Sequence, residues 1–406
     1  MEWAACLDEY EKLQIRMSTP RVVIDNVGCS DATRLLIDRA RKHGFLLEAI
    51  QVLTDLNLSI RKAYICSDGR WFMDVFHVTD LNGNKLTDDA ILGSIEKSLV
   101  TVHYGGSRTF QQASTVLELT GSDRVGLLSE IFAVLFNQQC NVVDAKVWTN
   151  NGRVAALIYI TDESTGFPVV DSEKLSVIEG MLRNVLKGAD DIHGAKTRVS
   201  LNVMIHAERR LHQLMFNDRD YETKNPATAA AAAAPCRGAP VVSVKNYLEK
   251  DYSVVNIHCS DRNKLLFDVV CTLTDMEYSV FHATVDTSEN VATLEFFIRH
   301  MDGTPISSDA EKQRVVSCLG AAIERRVVLQ GVRLELNAPD RIGLLADVMR
   351  TFRENGLNVA TAEVSTQVGT ARNVFCVTDM KGNPPDAKTI KSVRERVGWG
   401  SLKVTE

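Results

Sequence analysis

The sequence predicts an α+β chain of four tandem βαββαβ modules, each an antiparallel sheet with both helices on one face. Three observations lead there. The chain has 406 residues, too many for one ordinary core. A 23-residue segment recurs four times without gaps. In each copy the apolar pattern changes from a helical period to a strand period.

The copies begin at Arg41, Asp123, Asp261 and Asp340, at intervals of 82, 138 and 79 residues, so the long interval holds a module plus an insert. Apolar residues fall at matched offsets in all four: Leu127, Leu128, Ile131, Phe132 and Leu135 in the second copy, for example, and Leu344, Leu345, Val348, Met349 and Phe352 in the fourth. Spacings of i, i+1, i+4, i+5 and i+8 draw one stripe along a helix. Each copy ends on an alanine (Ala63, Ala145, Ala283, Ala362) within a β-branched run that reads as a strand. Short apolar strands precede each first helix, at 33–37, 115–119, 254–258 and 332–336. A further strand and a second amphipathic helix follow, the helices at 88–99, 172–186, 309–325 and 386–397. With closing strands at 198–205 and 402–405 the order is the split βαβ, or ferredoxin-like, arrangement. The expected modules span 20–104, 113–207, 250–328 and 329–406. Residues 208–245 are expected to be a linker, because the stretch from Met215 to Pro240, with its alanine run Ala229–Ala234, shows neither strand nor amphipathic pattern.

Composition narrows the function. Apolar residues at 45% and charged residues at 24% describe a globular chain, and a net charge of -6 without a basic block argues against nucleic acid as a partner. Nine cysteines without a CxxC pair suggest neither a disulfide framework nor a zinc cluster. No apolar run of membrane-spanning length occurs, and the start of the chain has the look of neither a secretory signal nor a transit peptide, so a cytoplasmic or nuclear location is expected. Gly121–Gly126 has no following Lys-Ser or Lys-Thr, the histidines lack metal-ligand spacing, and no hydrolase or dinucleotide signature occurs. No catalysis, metal or cofactor is expected.

The chemistry lies between first strand and first helix, where modules 2 and 4 read Asp123-Arg124-Val125-Gly126-Leu127-Leu128 and Asp340-Arg341-Ile342-Gly343-Leu344-Leu345. Amides at a helix start lack helical partners and carry the positive end of the dipole, so such a corner can hold a carboxylate. Glycine admits a close approach, and the aspartate can accept an ammonium group. Together these suit the two ends of a free α-amino acid. Asp123 and Asp340 are equally readable as N-caps, and Arg124 and Arg341 as solvated residues, anion partners or partners of the neighbouring aspartates. Module 1 replaces the carboxylate with Arg41, and module 3 replaces the glycine with Lys264. Both changes hinder a zwitterion, so those modules are expected to be structural partners or to bind something else.

This motif inside an 80-residue βαββαβ unit resembles the ACT domain, a regulatory module that binds amino acids. The chain as a whole is similar to the plant ACT-domain-repeat (ACR) proteins, through segments such as Lys42–Glu48, Gly69–Phe76 and Glu208–Met215. The resemblance implies a non-catalytic sensor of free amino acids, glutamine among the candidates, acting on a partner protein in nitrogen or amino-acid metabolism, with homodimerisation through the sheets an open arrangement. It implies ligand contacts at Asp123, Gly126, Leu127 and Asn141 and at Asp340, Gly343, Leu344 and Asn358. The two asparagines are equally readable as helix-exit residues. The alternative is a scaffold of ACT modules that binds no small ligand.

Overall fold

The computed structural model describes residues 21–40, 44–67, 71–101, 114–187, 196–201, 206–222, 240–288, 290–327, 331–367 and 369–405. The module 1 corner residues Arg41, Lys42 and His43, together with Gly69-Arg70 and the alanine run, lie outside them. The chain divides into two compact units, Met1–Thr109 with Pro226–Ile323 and Phe110–Asn225 with Glu324–Glu406. The modules therefore pair within the chain in an interleaved order, 1 with 3 and 2 with 4.

In module 1, β1 (Arg21–Asp25) and β2 (Thr33–Ala40) precede α1 (Phe45–Asp55), β3 (Ser59–Ser67), β4 (Trp71–Thr79) and α2 (Asp89–Thr101). Module 2 runs β5 (Thr115–Ser122), α3 (Leu127–Asn137), β6 (Cys140–Asn150), β7 (Arg153–Asp162), α4 (Ser172–Leu186) and β8 (Lys196–Leu201), followed by α5 (Ala207–Asn217). Module 3 has β9 (Val241–Tyr247), β10 (Tyr252–Ser260), α6 (Leu265–Asp275), β11 (Tyr278–Ser288), β12 (Val291–His300) and α7 (Asp309–Glu324). Module 4 has β13 (Val332–Pro339), α8 (Leu344–Glu354), β14 (Asn358–Gln367), β15 (Thr370–Thr378), α9 (Ala387–Val397) and β16 (Leu402–Thr405).

Each unit is one eight-stranded antiparallel sheet, β1-β2-β4-β3-β11-β12-β10-β9 in the first and β16-β13-β15-β14-β6-β7-β5-β8 in the second. The seams are β3 with β11 and β6 with β14. The four alanines that close the repeat sit there, each opposite a β-branched residue: Ala63 against Val285, Ala283 against Ile65, Ala145 against Val364 and Ala362 against Val147. They are buried under the first helices, which pack in pairs across the seam, α1 with α6 and α3 with α8. A small side chain is needed where two helices bear on one strand, since extra methylenes in a packed core force side chains off their rotamers. Just after the start of each seam strand the register slips by one residue, at 60/62, 142/144, 280/282 and 359/361. In each unit a threonine of the opposite seam strand donates to the carbonyl left out of the ladder: Thr287 Oγ1 to Arg61 O at 3.1 Å and Thr149 Oγ1 to Ala360 O at 2.9 Å.

The modules differ in the source of the outer strand. In modules 2 and 4 the closing strand pairs with the first one, β8 with β5 and β16 with β13. In modules 1 and 3 that edge is taken by an upstream strand, β1 on β2 and β9 on β10. The same polar knot fixes both. Asn26 Nδ2 donates to Leu86 O at 2.8 Å while its Oδ1 accepts from Thr33 Oγ1 at 2.7 Å. Asn246 repeats this with Ile306 O and Ser253 Oγ, at 2.6 and 3.0 Å.

The span 208–245 is a linker only in part. β9 belongs to the sheet of module 3, and α5 covers the face of the module 2 sheet opposite α3 and α4, burying Leu211 and Met215 against Trp148, Ala155, Leu157 and Tyr159. The other side chains that tie down α5 and the turn after it are charged and buried in pairs. Arg210 grips Glu118 with two bonds of 2.8 Å, Glu208 takes Lys146 and Arg326 at 3.1 and 2.9 Å, and Arg153 meets Asp218 at 2.7 Å. Arg325 and Asp220, both inaccessible, form a two-pronged pair at 2.7 Å, with His212 Nδ1 2.8 Å from Arg325. The pattern was hidden in the sequence because neutralised charges, not a longer apolar stripe, hold this helix. Arg325→Met, which leaves the Asp220 carboxylate uncompensated, is expected to destabilise the second unit by about 3–5 kcal/mol. Urea denaturation measures this, and Arg325→Met with Asp220→Leu should recover much of the loss.

Candidate functional site

Each first helix begins on a residue in the left-handed region: Gly44 (φ 81°), Gly126 (83°), Lys264 (65°) and Gly343 (77°). That residue is the N-cap, and at none of these four helices does its side chain cap the helix. Asp123 and Asp340 lie three residues earlier, so the N-cap reading of them is excluded. Their own amides are tied to the hairpin turns, Asp123 to Gly152 O at 2.9 Å and Asp340 to Gly369 O at 2.8 Å, which fixes each carboxylate beside its corner. Among the described residues the amides of Gly126, Leu128 and Ser129 have no protein acceptor, nor do those of Gly343, Leu345 and Ala346. The Leu127 and Leu344 amides close turns onto Arg124 O and Arg341 O, both at 3.1 Å.

The corner arginines have a structural partner, and it is not the adjacent aspartate. Arg124 forms a two-pronged pair with Glu130, six residues on in the first turn of α3, Nη1 lying 2.9 Å from Oε1, and it also donates to Val185 O at 3.2 Å. Arg262 repeats this with Asp268 at 2.7 Å and Ile323 O at 2.8 Å, and Arg341 pairs with Asp347 at 2.8 Å. An acidic residue in the first helical turn offsets the cost of a cation at that end of the dipole. The hydrogen bond from Arg124 holds the Glu130 carboxyl below its ordinary range and raises the guanidinium in turn.

The predicted site residues come together in an exchanged pairing. A cleft of about 270 Å³ is formed by Asp123, Gly126 and Leu127 of module 2 with Leu357, Asn358 and Val359 of module 4; Asn358 Nδ2 lies 3.4 Å from Asp123 Oδ2. Its counterpart of about 360 Å³ joins Asp340, Gly343 and Leu344 of module 4 to Cys140, Asn141 and Val142 of module 2. The expectation that Asp123 shares a site with Asn141, and Asp340 with Asn358, is therefore corrected. The helix turns the chain away before β6 begins, and the antiparallel seam delivers the asparagine of the other module instead. Leu127 is buried in the core and supplies a wall, while Leu344 is half-buried.

Two cleft residues were not anticipated. A methyl group on Gly126 would lie 2.8 Å from Cδ of Arg353, and one on Gly343 would lie 2.9 Å from Cε2 of Phe136. With the left-handed φ, this close approach favours glycine at both positions. Arg353 and Phe136 occupy one place in the repeat, thirteen residues after the aspartate, where modules 1 and 3 have Thr54 and Thr274. Threonine at this offset in modules 1 and 3, against phenylalanine and arginine in modules 2 and 4, was the signal available. In the first unit, a cleft of about 400 Å³ sets Asp261, Arg262 and Lys264 against Thr54 and Ser59. Burial pushes the Asp261 carboxyl up. Among the described residues no cluster of three or more metal-ligating side chains occurs.

With paired modules of this topology and these corners in place, the chain is a protein built of ACT modules. Residues 28–106 match the ACR family N-terminal ACT domain, 114–187 and 332–395 match the ACT domain, and 241–333 match the ACR9-like, ACT-like domain. It belongs to the ACR family of ACT domain-containing proteins: it is 61% identical over 401 residues to ACT domain-containing protein ACR8 of Arabidopsis thaliana, covering 98% of this chain and 89% of that one, and 52% identical over 408 residues to ACR4 of the same plant, with the same coverage. ACT domains are regulatory modules that typically bind amino acids. No helix among the described residues is long and apolar enough to cross a membrane.

On β6, Asp144 carries a second consequence of the seam. Burial pushes its carboxyl from the ordinary 3.8 up to about 6; Lys146 acts against the shift and Glu363, across the seam, adds to it. Between those values the folded chain holds a proton that the unfolded chain has released, so this stabilisation is complete below 3.8, declines as the pH rises through about 6, and is absent above. Asp144→Asn is therefore expected to raise stability by on the order of 2 kcal/mol at neutral pH and to change it little in acid. Urea midpoints at the two pH values check this.

Proposed function

We propose that this protein is a non-catalytic sensor in which free amino acids occupy the two clefts of the second unit and alter the activity of a partner protein in amino-acid or nitrogen metabolism. The observation that carries the reading is the convergence, in each cleft, of three unsatisfied helix-start amides, a fixed aspartate and an asparagine from the opposite module. The amides and the helix dipole suit an α-carboxylate, and the aspartate and the asparagine Oδ1 suit an ammonium group.

A guest there touches the corner of one module and the strand start of the other, so its binding energy depends on how closely the two approach. That dependence is what regulation requires, since a ligand with equal affinity for two arrangements shifts neither. Titration calorimetry with each of the twenty amino acids is expected to give saturable binding. Asp123→Ala and Asp340→Ala should each remove one class of site, with circular dichroism unchanged. If no amino acid binds or raises the melting temperature, the clefts serve only as seams of an interaction scaffold.

A further inference from the structure

The two clefts are related by the repeat, yet their covers differ in chemistry. Over Gly126 lies the exposed Arg353, which has no ion pair within 4 Å among the described residues. The nearby Glu130 feels its charge but is already held by both prongs of Arg124. Over Gly343 lies the ring of Phe136, 44% exposed, with Phe132, Leu135 and Val142 on the same side. Ile342, in the facing corner, is 55% exposed. Arg341 adds no available cation, being paired with Asp347.

We propose that these clefts select different amino acids: the Asp123 cleft one with an acidic side chain, read by Arg353, and the Asp340 cleft one with an apolar side chain, read by Phe136. This rests on the amino-acid reading above. With the α-carboxylate on the corner amides and the ammonium on the aspartate, the side chain of the guest is the part left to meet the cover. A guanidinium recognises a second carboxylate through charge-assisted hydrogen bonds. A phenyl ring with aliphatic neighbours offers apolar area and leaves a buried carboxylate without a partner. The residue thirteen positions after the aspartate thus sets specificity for the cleft of the opposite module.

The test is titration calorimetry on the full chain with L-glutamate, L-aspartate, L-leucine and L-phenylalanine, using wild type, Arg353→Phe, Arg353→Lys and Phe136→Arg. Removing the cation is expected to weaken the acidic amino acids by about tenfold or more, the scale of a partly exposed charge-assisted bond, and to leave the apolar ones unchanged. Arg353→Lys should keep most of the acidic affinity. Phe136→Arg should abolish the apolar class and double the number of acidic sites. Arg353→Gln replaces the phenylalanine variant in this comparison if the latter misfolds. If amino acids bind but the variants leave the selectivity between the two classes unchanged, the specificity assignment is overturned while the sensor reading stands. If wild type binds none of the twenty, both fall.

Discussion

The antiparallel seam between two central strands governs this architecture. In the second unit, pairing β14 with β6 sets Ala362 against Val147 and Val364 against Ala145, and those contacts decide what can lie above the sheet. Only with alanines there can α3 and α8 settle side by side on a continuous surface. Once they do, the start of each helix is carried to the strand that follows the other. The clefts, their asparagines and their covers follow from that geometry, and neither module has a complete cleft alone.

The corners show how one backbone shape tolerates changes in side chain. Three use glycine in the left-handed region, and the fourth holds Lys264 in the same conformation, at a cost of about 1–2 kcal/mol. What persists in modules 2, 3 and 4 is the arginine clasped to an acidic residue six positions on, in the first turn of the helix, and in modules 2 and 3 that arginine also reaches a carbonyl at the end of the second helix. In modules 2 and 3 the clasp ties the two helices together. The conserved shape belongs to the fold, and the variable residues around it are where selectivity can reside.

Much of this was legible in the sequence, for identifiable reasons. The helical stripe beginning at Leu127-Leu128, the alanines at the seam and the Asp-Arg-x-Gly corner are local patterns whose physical meaning does not depend on what packs against them. The partners could not be read in the same way. Four copies of one stripe say nothing about which copy joins which, so the exchange of Asn141 and Asn358 between corners was out of reach. The upstream strands β1 and β9 carry runs rich in β-branched residues, Val22-Val23-Ile24 and Val241-Val242-Ser243-Val244, but these precede the repeated strand-helix pattern, so the repeat does not assign them to a module. Helix α5 falls within the span read as linker: its Glu208, Arg210 and His212 meet buried charges supplied by Glu118, Lys146 and Arg325, which no local pattern reveals.

The interleaved order bears on how the polypeptide can be assembled in a cell. As the chain emerges from the ribosome, module 1 exposes β3 as an open edge through the synthesis of all of module 2, until residue 288 completes the strand that closes it. Module 2 likewise waits for β14. An unpaired central strand is a template for wrong partners, and adjacent modules built on the same plan are the nearest ones on offer. The sequence must therefore discourage pairing between neighbours as firmly as it favours pairing with the module beyond. Cutting the gene between modules 2 and 3 would leave two fragments, neither of which holds a single finished sheet.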